Sequence, residues 1–193
     1  MTVLASAGLP LDTLSIVTVG GGAIPAAPAW ERMFGWPADG VAAVPLRARS
    51  RAERTIWAAR LDRAVREADS RVLLIADGLG CAASAWWARL SPAHEVRKIA
   101  GALLFAPAPD AGLFASPASH LPFPSLVIQP DGGDEEAREA VASWGSRLIV
   151  GGRVRNRGAA QVAWRQAQRL FLRLTHQMVE HDVARGRALT GWR

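Results

Sequence analysis

The chain is poor in the residues that staple or ligate. Its 193 residues include one cysteine, Cys81. A single thiol cannot form an internal disulfide framework or a cysteine metal cluster, and it fits a reducing compartment. Histidine is almost as scarce, with only His94, His120, His176 and His181 present. None has metal-ligand spacing with another. His176 and His181 are five apart, and residues five apart on a helix do not share a face. No histidine lies between His120 and His176. No apolar run approaches the ~18 residues of a membrane span. The N-terminus also lacks the basic region and long apolar core of a signal peptide. These absences predict a soluble cytoplasmic protein without metal or cofactor. Repeats, linkers and low-complexity segments are missing too, which predicts one domain over residues 1–193.

Lysine occurs once, at Lys98, so the formal net charge of +6 is almost entirely arginine. A pI of about 11.2 raises the question of nucleic-acid binding. The basic residues are spread along the chain, with no Lys/Arg block and no aromatic-interleaved motif. That spread reads as the arginine usage of a high-GC genome rather than as a nucleic-acid or membrane surface. Arg165, Arg169 and Arg173 recur four apart. They read as a solvated helix face, with an interaction surface as the alternative.

Half of the residues are hydrophobic, enough for a substantial core at this length. Short apolar runs alternate with helical patterns. The runs Leu14–Val19, Val41–Val44, Val72–Ala76, Ile99–Ala106, Ser125–Ile128 and Arg147–Val150 predict strands. Pro28–Phe34, Arg51–Ala68, Ala82–Leu90, Glu135–Trp144 and Ala159–Met178 predict helices. In the second of these, Trp57, Leu61, Ala64, Val65 and Ala68 form one apolar face. Val72–Ala76 is unbroken apolar sequence, as expected of a strand covered on both faces. The alternation with short links predicts a parallel sheet with helices on both sides, a three-layer α/β/α arrangement. The proline-rich stretch Pro107–Pro124 predicts a loop, with a cap over a site as its candidate role.

The segment Arg71-Val-Leu-Leu-Ile-Ala-Asp-Gly-Leu-Gly-Cys81 reads as a buried strand entering a helix through a Gly-x-Gly turn. It resembles the nucleophile elbow of α/β-hydrolases, a sharp bend that presents a catalytic serine above the sheet. The elbow needs a small residue two places after the nucleophile, where helix and strand pack closely. Gly80 meets that need, so position 78 is the nucleophile position, and Gly78 occupies it. Four more segments follow the same pattern in order: Ile16-Val-Thr-Val-Gly-Gly-Gly22, Ile99-Ala-Gly-Ala-Leu-Leu-Phe-Ala-Pro107, Leu121-Pro-Phe-Pro-Ser-Leu-Val127 and Trp144-Gly-Ser-Arg-Leu148. Together the five resemble the small bacterial serine hydrolases related to retinoblastoma-binding protein nine and YdeN. The resemblance covers roughly residues 14–175, leaving 176–193 as a C-terminal extension. It implies a minimal α/β-hydrolase fold on a mostly parallel sheet of about five or six strands.

The same resemblance implies where catalytic groups would stand. The family's Ala-His-Ser-Leu-Gly-Cys pattern reads here as Ala76-Asp77-Gly78-Leu79-Gly80-Cys81. Asp77 lies one position too early to serve as nucleophile itself. The triad acid is implied at Asp134 or Asp131, and the catalytic histidine at Val154. Acyl transfer through serine needs a hydroxyl with a base in hydrogen-bond reach, and neither is visible. No residue therefore stands as a catalytic candidate in full. The implied reading is a catalytically degenerate hydrolase that binds a small anionic ligand or a protein partner. Ester hydrolysis by rearranged groups, such as Asp77 with a water, is the alternative. Backbone donors survive side-chain loss, so the N–H of Leu79 and those around Gly21 and Gly22 remain candidate oxyanion donors. Arg153 would add positive charge at the rim or point to solvent. The candidate ligand contacts are therefore Gly21, Gly22, Asp77, Gly78, Leu79 and Arg153. Cys81 is expected to be a buried structural residue, and Ser84 and Ser91 helix or cap residues. The histidines read as ordinary structural or surface residues, with a place near a pocket as the alternative for His120 alone, in the cap-like loop. Most of the eight tryptophans are expected in the core, with Trp30 bordering the pocket.

Overall fold

The computed structural model describes residues 14–20, 41–108, 112–115, 119–129 and 135–150. The elements run β1 (Leu14–Gly20), β2 (Val41–Pro45), α1 (Arg51–Glu67), β3 (Arg71–Asp77), α2 (Leu79–Leu90), the single turn α3 (Ala93–Val96), β4 (Ile99–Phe105), β5 (Ser125–Gln129), α4 (Glu135–Ser143) and β6 (Arg147–Val150). The six strands form one sheet in the order β2-β1-β3-β4-β5-β6. Every neighbouring pair is parallel. All six strand C-termini therefore lie along one edge of the sheet.

Strand composition follows from burial on both faces. In β3 the five residues from Val72 to Ala76 are all buried, and β4 is buried throughout. Successive side chains point to opposite faces. Val72, Leu74 and Ala76 join one hydrophobic cluster, while Leu73 and Ile75 join the other with Leu103, Phe105, Leu126 and Ile128. The first cluster is covered by the helices: Trp57, Leu61 and Val65 of α1, the small residues of α2, Val96 of α3 and Val141 of α4 all belong to it. The second cluster draws only on strand residues among those described, and it is buried as well. The arrangement is consistent with a three-layer α/β-hydrolase-like fold.

Helix α1 begins at Ser50, whose hydroxyl accepts from the Glu53 N–H at 3.3 Å, while the Glu53 carboxylate accepts from the Arg49 N–H at 2.7 Å. That second bond holds the Glu53 carboxyl below its usual range. Helix α1 is tied to α2 through Asp62, which accepts from Trp87 Nε1 at 2.7 Å and Ser91 Oγ at 3.2 Å. Among the described residues, no helix is long and apolar enough to cross a membrane.

Two details differ from the sequence expectation. Helix α2 starts at Leu79 rather than Ala82, because the bend at Gly78 places the next residue directly in the helix. The turn α3 has no counterpart in the sequence pattern, since four residues are too few to show a helical period. The expected helices Pro28–Phe34 and Ala159–Met178 lie outside the described residues. Trp57, Trp87 and Trp144 are buried as expected, and Trp86 is partly buried. Trp30, Trp36, Trp164 and Trp192 lie outside the description.

Candidate functional site

The bend between β3 and α2 is held by backbone chemistry. Gly78 has φ 52° and ψ −124°, a conformation that side-chain-bearing residues rarely adopt. Its N–H donates to the Phe105 carbonyl at 3.0 Å. Its carbonyl accepts from the Cys81 N–H and the Ala108 N–H, both at 3.2 Å. Among the described residues, a Cβ built on Gly78 would meet nothing within 4 Å. No described residue occupies the space that a nucleophile's side chain would use.

Gly80 is required by packing. A Cβ there would stand 2.6 Å from the Val19 carbonyl oxygen, so α2 crosses β1 with no room for a methyl group. Leu79 and Gly80 are the first two residues of α2, so their N–H groups have no intrahelical carbonyl to bond. Positions 77, 78 and 79 are all partly exposed at the sheet's C-terminal edge. Asp77 leans toward β1: a Cβ on Gly20 would lie 2.7 Å from its Oδ1. The missing side chain at Gly20 thus gives the carboxylate its place.

Cys81 sits behind the bend and is fully buried. Its Sγ lies 3.5 Å from both the Ala76 and the Phe105 carbonyl oxygens. Burial pushes the thiol far above its usual range, and the Asp77 charge pushes in the same direction. A thiol held protonated is a packing group, not a nucleophile. Ser84 is buried in α2, where its hydroxyl has no partner among the described residues, and Ser91 caps the C-terminus of that helix.

The described histidines stand elsewhere. His120 packs against Gly145, where a Cβ would come 2.8 Å from the His120 ring. Gly145 lies in the turn that leads into the start of β6. His94 belongs to α3, which leads into the start of β4. Both therefore lie at the N-terminal edge of the sheet, separated from the bend by the length of the strands. At ~3.3 Å per residue a strand of five to seven residues spans roughly 16–23 Å. This placement accords with the ordinary reading of His120 and not with the alternative of a place near the bend. The physical reason is that a parallel sheet sends strand starts and strand ends to opposite edges.

Strands β5 and β6 end at Gln129 and Val150, on the same edge as the bend. The candidate acid and histidine positions, Asp131, Asp134 and Val154, follow those ends but lie outside the described residues. Gly21, Gly22 and Arg153 do as well. The structure thus brings together Asp77, Gly78 and Leu79 from the candidate set. It adds Ala106 and Ala108, which sequence reasoning missed. The available signal was the Ala-Pro-Ala run that closes an apolar strand.

The start of the long connection from β4 to β5 touches the bend through Ala108. Farther along, Phe114 is fully buried between Trp57 and Trp86, with ring centroids 5.7 Å from each in edge-on geometry. Arg54 lies over the Trp86 ring at 4.4 Å and donates to the Leu113 carbonyl. This cluster fastens the connection onto α1 and α2. A separate groove of about 430 Å³ lies between α1 and the β2 side of the sheet, lined by residues such as Ile16, Ala43 and Arg60. None of residues 77–79 lines it. Among the described residues, no group of three or more His, Cys, Asp or Glu is placed to hold a metal ion.

A parallel sheet with a positive-φ Gly-x-Gly bend leading into a buried helix is consistent with an α/β-hydrolase-like scaffold. The sequence model of one family, described as serine hydrolase, matches residues 29–171. This chain belongs to the serine hydrolase family. A solved YdeN-like hydrolase from Pectobacterium atrosepticum is similar in structure, with a TM-score of 0.58 over 86% of this chain and 92% of that one. Its sequence identity is 21%, a likeness that carries the fold alone. No curated protein matches the chain.

Proposed function

We propose that this chain is a catalytically degenerate serine hydrolase family protein that uses the elbow as a ligand-binding platform. The observation that carries the reading is Gly78. It holds the bend at φ 52°, and no described residue comes within 4 Å of where a nucleophile's Cβ would stand. Glycine brings no hydroxyl, and both described histidines lie at the far edge of the sheet. General-base activation of a nucleophile requires hydrogen-bond reach, which neither has. The backbone donors at the start of α2 do not depend on the lost side chain. They favour a small anionic group, because the first N–H groups of a helix are unpaired and the helix dipole is positive there.

The test joins a labelling experiment to a turnover screen. A fluorophosphonate probe, which reports activated serines, should leave the purified protein unlabelled. A panel of carboxylic esters and thioesters should show no turnover above buffer. Stoichiometric labelling of any serine would overturn the reading. Turnover that is lost in Asp77→Asn would replace it with water-mediated ester hydrolysis at Asp77. The ligand arm uses a series of short carboxylates, acetate to octanoate, with thermal stabilisation as the measure. Saturable stabilisation is expected, and its absence across the series would remove the anionic-ligand assignment.

A further inference from the structure

We infer that Ala106 is a positioning residue that fixes the direction of the Leu79 N–H through the Gly78 carbonyl. This inference rests on the reading of the elbow as a ligand platform. Ala106 is the only non-glycine residue with positive φ among those described, at φ 42°. It precedes Pro107, and a residue before proline favours extended backbone. The conformation is therefore disfavoured twice, by the Cβ and by the following ring. Such strain persists only where surrounding bonds over-determine it. Here the Ala106 N–H donates to the Ile128 carbonyl at 2.9 Å, and two residues later the Ala108 N–H donates to the Gly78 carbonyl at 3.2 Å.

The consequence lies in the peptide between Gly78 and Leu79. Among the described residues every peptide bond is trans. In a planar trans peptide the N–H points opposite to the carbonyl. The Gly78 carbonyl is clamped from two sides, by the Cys81 N–H within α2 and by the Ala108 N–H from the next strand's exit. The Leu79 N–H is then directed away from both. The left-handed turn at Ala106 brings Ala108 to the elbow, because an extended residue there would carry the chain off in another direction. Gly78 alone is too permissive to fix this peptide, since glycine samples positive and negative φ about equally.

The test uses the full chain, labelled with ¹⁵N, in three forms: wild type, Ala106→Gly and Ala106→Val. Glycine adopts positive φ freely, whereas a β-branched residue resists it. Amide exchange of Ala108 and the Leu79 amide resonance report the clamp without ligand, and interior β3 amides such as Leu74 report the fold. In Ala106→Val the Ala108 amide should exchange about tenfold faster and the Leu79 resonance should move, with Leu74 still protected. Ala106→Gly should keep both signals close to wild type. Unchanged Ala108 exchange and an unmoved Leu79 resonance in Ala106→Val would overturn the inference. So would loss of the clamp in Ala106→Gly. If the valine variant does not fold, Ala108→Pro, which deletes the donor, is judged on the Leu79 resonance alone. Sodium butyrate then separates the two claims. Failure to move any wild-type elbow amide would end the ligand reading and leave the clamp to be decided by exchange. A response in wild type that weakens about tenfold in Ala106→Val is the outcome expected if both hold.

Discussion

Gly80 and Val19 approach so closely that a single methyl group on the glycine would fall 2.6 Å from the valine's carbonyl oxygen. Backbone cannot yield as a side-chain tip does. Gly80→Ala should therefore destabilise the protein by about 1–3 kcal/mol through overpacking. Denaturant unfolding measures it. A loss of less than a few tenths would show that α2 does not sit that close to β1.

Gly78 offers the opposite case. Among the described residues nothing crowds a Cβ there, so the cost expected of a side chain is backbone strain rather than collision. Gly78→Ser and Gly78→Ala should each lower stability by about 1–3 kcal/mol, and by similar amounts. Equal costs would identify φ as the cause, while a much larger cost for serine would point to a steric or polar conflict. Gly78→Ser should hydrolyse no ester, since a nucleophile without a base stays protonated and weak. Measurable turnover by that single change would reveal a base at the elbow.

Adding Val154→His to Gly78→Ser tests the position that the family resemblance implies for the base. A well-placed general base contributes about 10²–10⁴-fold. The double variant should show slow hydrolysis of an activated aryl ester above the single variant. Equal rates would remove the assignment of Val154 to the histidine position.

Cys81 sets a dependence of stability on pH. Its thiol is held protonated in the folded state, by burial first and by the Asp77 charge second. In the unfolded chain it ionises near a pKa of about 8.5. Below that pH both states are protonated and the group has no effect. Above it the unfolded state releases the proton while the folded state keeps it. Stability should then fall by about 1.4 kcal/mol per pH unit from this group. Unfolding measured between about pH 7 and 10 should show that extra slope in the wild type and not in Cys81→Ala. An unchanged slope would mean that the thiol reaches solvent. A thiol reagent should likewise react only on the timescale of unfolding.

Much of the fold was legible in the chain. Arg71–Asp77 and Ile99–Phe105 are central strands, buried on both faces, and such strands must be almost wholly apolar. The stripe of Trp57, Leu61 and Val65 marked α1 because a helix repeats its inward face every three to four residues. The Gly78–Gly80 pair marked the elbow because a bend of this kind tolerates few residue types. Short-range rules of this sort leave a signature in local sequence.

The rest depended on contacts between residues distant in the chain. Phe105 and Ala106 read as the end of an ordinary strand. The positive φ of Ala106 goes with long-range bonds on either side of it, from its own N–H to the Ile128 carbonyl and from the Ala108 N–H to the Gly78 carbonyl. His120 read as a loop histidine, and a place near a pocket stood open as its alternative. Only the parallel topology, which gathers strand starts at one edge and strand ends at the other, placed it beside Gly145 and away from Gly78. The sequence by itself determined the strand and helix pattern, the family resemblance and the absence of a hydroxyl at position 78. Tertiary structure decided which groups share an edge and how the elbow's peptide is held, because those follow from strand order and long-range hydrogen bonds.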